Sequence, residues 1–211
     1  MTGGSGTVVV FTGITDTFER SVIDGWGICD AGIAWETAGG VEVTGTRGRL
    51  KASGPSVNGD ATLSYPPLSE PFDMTFIMTA QWTGFNTLRR LTVTFASSHQ
   101  VQFYLDENSV SGFEIKRPSS TSSVFPYSFA ALSIYHVRIE ASASETRVRI
   151  WVSDDPEPIS WDGTLLSAET PSFDFINITA DINNEPASYV DIDDLDITGI
   201  GGGTPIVITG R

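Results

Sequence analysis

Period-two alternation of apolar and polar positions recurs along the chain, and no window sustains apolar residues at i, i+3, i+4 and i+7. Met74, Phe76, Met78, Ala80 and Trp82 share one parity, with Thr75, Thr79 and Gln81 on the other, which predicts a strand with one face in a core. The pattern returns in Leu91/Val93/Phe95, Val101/Phe103/Leu105, Phe113/Ile115, Tyr135/Val137/Ile139 and Val148/Ile150/Val152. Between these runs stand Asn58-Gly59-Asp60, Asp106-Glu107-Asn108, Asp154-Asp155-Pro156 and Asp162-Gly163, turn signals that supply positive φ or local side-chain turns. Short strands with such punctuation predict an all-β sandwich or barrel. Pro66-Pro67 and Pro71 cannot donate to a ladder, so the segment before Phe72 is predicted to be a loop or a sheet edge.

A chain of 211 residues, 40% hydrophobic, is long enough to bury one large β core. The sandwich is predicted over residues 15–200, with an N-terminal arm at 1–14 and a C-terminal arm at 201–211. Gly3-Gly4-Ser5-Gly6 and Gly201-Gly202-Gly203 are the candidate hinges. Such arms either add a strand to a neighbouring subunit's sheet, which would make a homo-oligomer or fix the domain to a larger assembly, or are frayed ends.

The net charge of −14 excludes a general nucleic-acid binder, because phosphate contacts need clustered Lys and Arg. Arg47, Arg49 and Lys51 form one local basic stripe, read first as a solvated face and second as a contact to an acidic neighbour. No run approaches the ~18 apolar residues of a membrane helix, so membrane insertion is not expected. Met1 to Phe11 has no basic residue ahead of its apolar stretch and does not read as a secretory signal. Synthesis in a cytoplasm is the expectation. Cys29 is the single cysteine and is expected to be a small buried side chain.

Catalysis needs a positioned nucleophile, base or metal. His99 and His136 are the two histidines, and neither has a plausible triad. Gly3-Gly4-Ser5-Gly6 is followed by Thr7, so no nucleophile elbow is completed, and the Glu-x-Asp-x-Glu strand of jelly-roll glycanases does not occur. No enzyme and no obligatory cofactor are expected.

The acidic run from Asp191 to Asp196 is the sharpest local feature. Val190 and Ile192 fall on one parity and Leu195 and Ile197 on the other, so a β-bulge near Asp193 and Asp194 is needed to keep all four inward. Carbonyls exposed at such a bulge, with the two carboxylates, make Asp193 and Asp194 the candidate ligands of a structural calcium; a solvated acidic edge that blocks aggregation accounts for the same residues. Asn177-Ile178-Thr179 matches a glycosylation acceptor, a frequent chance pattern.

If the strand runs above face the core, alternation sends Gln102, Tyr104, His136, Arg138, Arg149 and Trp151 outward. As one group they would form an aromatic and polar platform for a sugar ring or a protein partner; ordinary cross-strand pairing is the alternative.

Asp16-Thr17-Phe18-Glu19-Arg20, then Trp26-Gly27, Gly32, Trp35 and Arg49-Leu50-Lys51-Ala52, resembles the opening of concanavalin-like, laminin-G-like jelly rolls. The arrangement looks like those of virion proteins, often minor tail proteins, of bacteriophages that infect actinobacteria. The closing Tyr189-Val190-Asp191-Ile192-Asp193-Asp194-Leu195 looks like the last strand of such modules, which pairs back with the N-terminal strand. Secreted carbohydrate-binding modules share both ends, and several use an Asp of this strand for structural calcium. The resemblance implies a jelly-roll (concanavalin-like) β-sandwich with Trp26 and Trp35 in structural positions. It further implies a non-enzymatic virion protein of tail or capsid surface, made in the host cytoplasm and held to other virion proteins by its arms, with a host-surface glycan as candidate partner. A carbohydrate-binding module of a bacterial protein is the alternative, and a glycanase with an unfamiliar acid pair is the third reading.

Overall fold

The computed structural model describes residues 13–20, 22, 24–51, 58–68, 72–82, 88–96, 99–105, 112–118, 122–166, 172–182 and 188–199. Asp106-Glu107-Asn108, Pro71 and both glycine clusters of the arms lie outside the described residues. Among those described, all regular structure is strand, arranged as two antiparallel sheets.

The eight-stranded sheet runs β13 (Gly163–Leu166), β12 (Glu145–Val152), β11 (Ile134–Ala141), β6 (Phe72–Gln81), β15 (Tyr189–Gly199), β4 (Arg47–Lys51), β3 (Gly40–Thr44), with β1 (Gly13–Asp16) also on β15. Here β4 and β1 share one flank of β15: Tyr189 to Ile192 pair with β4, and Leu195 to Thr198 pair with β1. The first and last strands therefore meet. Gly13 and Ile14 already belong to the ladder, so the sandwich begins two residues before the expected boundary.

The seven-stranded sheet runs β10 (Ser123–Pro126), β9 (Gly112–Lys116), β8 (His99–Tyr104), β7 (Leu88–Phe95), β14 (Phe173–Ile182), β5 (Gly59–Leu68), β2 (Glu36–Ala38). Pro66 and Pro67 fall within β5, beyond the 60–62 stretch that β2 covers and beside an irregularity in the β14 ladder. A residue without an N–H is tolerated at such an edge.

The inner faces meet in one core. Phe72 of β6 stacks on Phe95 of β7 and Phe173 of β14, at 5.1 and 5.0 Å between ring centroids, and Phe76 meets Phe103 edge to face. Met74, Met78, Val137, Ile139, Val148, Val93, Val101 and Ile115 are all fully buried around them, as the alternation requires. Val152, expected inward, is 41% exposed because it ends its strand. The β-bulge predicted from parity is present: Asp193 pairs with Ile77 and Asp196 with Thr75, so β15 spends one extra residue against β6, and Asp194 takes a positive φ of 45°. Val190, Ile192, Leu195 and Ile197 all remain buried.

One end of the sandwich is closed by the segment after β1. Asp16 points into the core with no exposure and accepts from the Phe18 amide (2.9 Å), from both terminal nitrogens of Arg20 (2.5 and 2.9 Å) and from the Trp35 indole (2.7 Å). Arg20 also donates to the Trp26 carbonyl. The Trp26 ring packs edge-on to both Phe18 and Trp35, so both tryptophans are core residues, and Cys29 is buried as well. A Cβ on Gly48 would lie 2.6 Å from Phe18 and 2.7 Å from Trp26. That strand position must be glycine for the rings to seat.

Candidate functional site

The six outward side chains do not form one platform. Gln102 and Tyr104 lie on β8 of the seven-stranded sheet, whereas His136, Arg138, Arg149 and Trp151 lie on β11 and β12 of the other sheet. Alternation fixes which residues leave the core, but a sandwich has two outer faces, and the core separates these two groups.

On the eight-stranded sheet, His136 and Trp151 are cross-strand partners with rings stacked at 5.2 Å and 11°. Arg138 and Arg149 are also directly opposed, an arrangement of like charges that needs a counter-ion. Glu157 supplies it, accepting from Arg138 at 3.1 Å and from Arg149 at 2.6 Å. It comes from the connection between β12 and β13, which folds back over this face. Asp73 grips Arg138 through both carboxylate oxygens (3.0 and 2.6 Å) and raises its pKa further above the ordinary arginine value. Trp161 from the same connection covers the guanidinium groups of Arg147 and Arg149, 4.5 and 4.0 Å from its ring. The cations and rings expected to meet a ligand are thus engaged with one another. A small pocket of about 110 Å³ lies along this sheet, lined by Glu140, Ala141, Ser142, Glu145 and Arg147. It is well below the ~300 Å³ at which small-molecule sites begin.

The outer face of the seven-stranded sheet is different in kind. Register places Lys116, Gln100, Thr94, Asn177, Thr62 and Glu36 in one row across six strands, and Glu114, Gln102, Thr92, Thr179, Asp60 and Ala38 in the next. At about 4.8 Å between strands, each row spans ~24 Å. Asn177 donates to both oxygens of Asp60 (3.1 Å each) and to Thr62 (2.8 Å), and Thr179 donates to Asp60 at 3.0 Å. At the other side Lys116 donates to Gln102 (3.0 Å), and Tyr104 donates to Glu114 at 2.5 Å.

Burial, reinforced by the bond to Glu114, pushes the Tyr104 hydroxyl up to about 12. Burial also opposes ionisation of Glu114, but hydrogen bonds from Ser122, Tyr104 and Lys116 outweigh it and hold its carboxyl below the usual range. Tyr104 is therefore a neutral donor and Glu114 an ionised acceptor at neutral pH. The face is a plane of amides, hydroxyls and carboxylates oriented by one another, half-buried at Thr62, Thr92, Thr94, Asn177 and Thr179 but buried at Glu114 and at Gln102, which alternation had sent outward.

Sequence reasoning reached Gln102 and Tyr104 on this face but missed Asp60, Thr62, Thr92, Thr94 and Thr179. The available signal was Thr or Asn at alternate positions in Thr92-x-Thr94 and Asn177-x-Thr179. Asn177 and Thr179 instead matched a glycosylation pattern, yet the Asn177 amide lies mid-sheet and is held by Asp60 and Thr62.

Asp193 and Asp194 stand at the bulge and do not fit a calcium ion. Arg47 faces Asp193 at 3.5 Å, and the Asp194 amide donates to the Asp193 carboxylate at 3.0 Å. Burial, with the neighbouring Asp194 charge adding to it and the contacts to the Asp194 amide and Arg47 offsetting it in part, raises the Asp193 pKa. Among the described residues no three His, Cys, Asp or Glu side chains converge on a metal position. A hard cation wants six to eight oxygens. Adding a chelator is therefore expected to leave the thermal melting curve unchanged; a lowered midpoint would show that a bound cation stabilises the fold. The basic stripe is likewise satisfied within the chain: Arg49 forms a bidentate pair with Asp191 (2.7 and 2.8 Å) under the Tyr189 ring, and Lys51 binds Glu42.

No family model and no curated protein sequence matches the chain. Solved structures do. The exoplasmic/lumenal domain of VIP36, in its form bound to Ca2+ and Man2, superposes with a TM-score of 0.64 at 12% identity, over 93% of this chain and 99% of that one. Lectin I-B4 from Griffonia simplicifolia, in a metal-free form, gives 0.60 at 16% identity over 88% and 98%. Lectin II from Ulex europaeus gives 0.61 at 10% identity over 90% and 99%. The chain has a concanavalin-like jelly-roll β-sandwich fold. At these identities the likeness defines the fold alone.

Proposed function

We propose that this chain is a non-enzymatic glycan-binding domain of lectin type, carried on the tail or capsid surface of a bacteriophage virion and holding a host-surface glycan. The observation that carries the glycan reading is the double row of oriented donors and acceptors across the seven-stranded sheet. A sugar chain presents hydroxyls that both donate and accept, and it pairs best with groups whose positions are fixed before it arrives. The lectin neighbours, among them the VIP36 domain in its form bound to Ca2+ and Man2, support the same reading.

The non-enzymatic part is supported by the state of the histidines: His99 is 2% exposed, and His136 is stacked on Trp151. The virion part is supported by the resemblance of the chain's two ends to phage minor tail proteins. A carbohydrate-binding module of a bacterial protein is the second reading, favoured by the same sheet face and requiring no particle. Two measurements separate them. The isolated protein is expected to bind polysaccharides on an array of host-surface glycans, and peptides of the chain are expected in purified particles by mass spectrometry. Glycan binding with the chain absent from particles would favour the bacterial module, and no binding to any glycan would remove both.

A further inference from the structure

Asp60 lies in the second row of the seven-stranded face, and its hydrogen-bond partners among the described residues are all neutral. Asn177 donates to both of its oxygens, Thr179 donates to one of them at 3.0 Å, and the Thr62 hydroxyl stands 3.5 Å from the other. The residue is only half-buried, so the carboxylate that gathers these groups also faces solvent.

The hydrogens of this cluster can be counted. An amide nitrogen carries two and a hydroxyl one. Of the Asn177 pair, one is shared by the Asp60 oxygens and the other goes to Thr62 at 2.8 Å. The Thr179 hydrogen goes to Asp60 or to the Asn177 carbonyl at 2.9 Å, and the Thr62 hydrogen is turned to Asp60. The cluster thus spends its donors on itself. What it still offers a ligand is lone pairs, on the hydroxyl oxygens of Thr62 and Thr179 and on the carboxylate.

Charge narrows the choice further. Lys116 is the one cation of the two rows. It lies four strands from Asp60, about 19 Å at the usual strand spacing, and it is held by Gln102 and Glu114. Arg90, beyond the second row, is paired with Asp181. On the near side, Glu36 is the register partner of Thr62, which puts a second, exposed carboxylate on the diagonal from Asp60, about 7–8 Å away.

A matching ligand group is therefore positive and purely a donor. A sugar hydroxyl brings lone pairs with its hydrogen, and a carboxylate or phosphate brings lone pairs and negative charge. A primary ammonium has three donors and no acceptor, and its bonds to a carboxylate are about twice as strong as neutral ones. We propose that Asp60, with Thr62 and Thr179, sets the specificity of the glycan face and selects an amino sugar with a free, protonated nitrogen over its N-acetylated or acidic counterparts. This rests on the glycan-binding reading of that face.

Calorimetric titration of the full chain with two β-1,4-linked hexasaccharides, one of glucosamine and one of N-acetylglucosamine, tests it. The glucosamine chain is expected to bind about tenfold more tightly at low salt, with the preference shrinking as salt is raised. Asp60→Asn is expected to bring the two affinities within about twofold, because an amide cannot supply the charge. Asp154→Asn, the same charge change on the exposed connection over the opposite sheet, is expected to leave the preference in place. Should Asp60→Asn fail to melt cooperatively, Glu36→Gln at its exposed position is read instead and is expected to reduce the preference. Equal affinities in the parent, a preference untouched by these substitutions on the face, or failure of both hexasaccharides to bind would each overturn the proposal. Binding of other sugars on the glycan array would then keep the broader reading, whereas no binding to any glycan removes both.

Discussion

Asp16→Ala is expected to lower the stability of the domain by about 3–5 kcal/mol, the usual cost of leaving one partner of a buried ion pair alone. The carboxylate has no exposure, and the Arg20 side chain that it holds is only 17% exposed. Removing it leaves the guanidinium, the Trp35 indole N–H and the Phe18 amide without the acceptor that joins them. Phe18 has a positive φ of 54°, a conformation that a bulky side chain holds only when its surroundings enforce it. Its amide bond to Asp16 and its edge contact with Trp26 supply that restraint. At roughly 2–4 °C per kcal/mol for a domain of this size, the melting temperature should fall by roughly 10 °C.

Asp16→Asn is expected to cost nearly as much, since an amide nitrogen would face Arg20 or Trp35 donor to donor. Asp16→Leu combined with Arg20→Met should recover part of the loss, because two apolar residues leave no buried charge unpaired. A melting temperature for Asp16→Ala within about 2 °C of the parent, a shift expected of under 1 kcal/mol, would show that the network is not what closes this end of the sandwich.

The same corner shows how far the sequence could be read. The stretch from Asp16 to Arg20, with Trp26 and Trp35, was recognisable by resemblance, but its physical reason, four donors on one buried carboxylate, became visible only when residues distant in sequence came together. The bulge at Asp193 and Asp194 was legible from parity, because a strand buried at both ends must absorb a phase change between Ile192 and Leu195. The status of those aspartates was not, since Arg47 lies far away in the chain.

Two glycines mislead in the opposite direction. Gly59 and Gly163 look like turn residues, yet neither has positive φ and both begin strands. A Cβ on Gly59 would lie 2.8 Å from the Gly40 carbonyl oxygen, and one on Gly163 would lie 2.7 Å from Phe125 and 2.8 Å from Phe113. Close approach, not turn geometry, is what they provide. Sheet membership was the main feature that alternation could not supply, because Gln102 and Trp151 obey the same parity rule on opposite sides of the molecule. The connection carrying Glu157 and Trp161 over one face also left no periodic trace.

Glycan binding should be lost, by more than tenfold, when a long side chain is raised from the centre of the seven-stranded face. Thr92 is suited to this, since it lies between Gln102 and Thr179 in the second of the two rows, and Thr92→Arg puts a guanidinium where a sugar chain would lie flat. A half-exposed strand position takes such a residue at little cost in stability. Trp151→Ala, on the far side of the core, should leave affinity unchanged even though it removes the stacking partner of His136. The most direct measurement is calorimetric titration of a host-surface polysaccharide into the parent protein, Thr92→Arg and Trp151→Ala, each first shown to melt cooperatively. The account predicts saturable binding by the parent and by Trp151→Ala, with loss in Thr92→Arg; full affinity in Thr92→Arg with loss in Trp151→Ala would place the glycan on the eight-stranded sheet and contradict it.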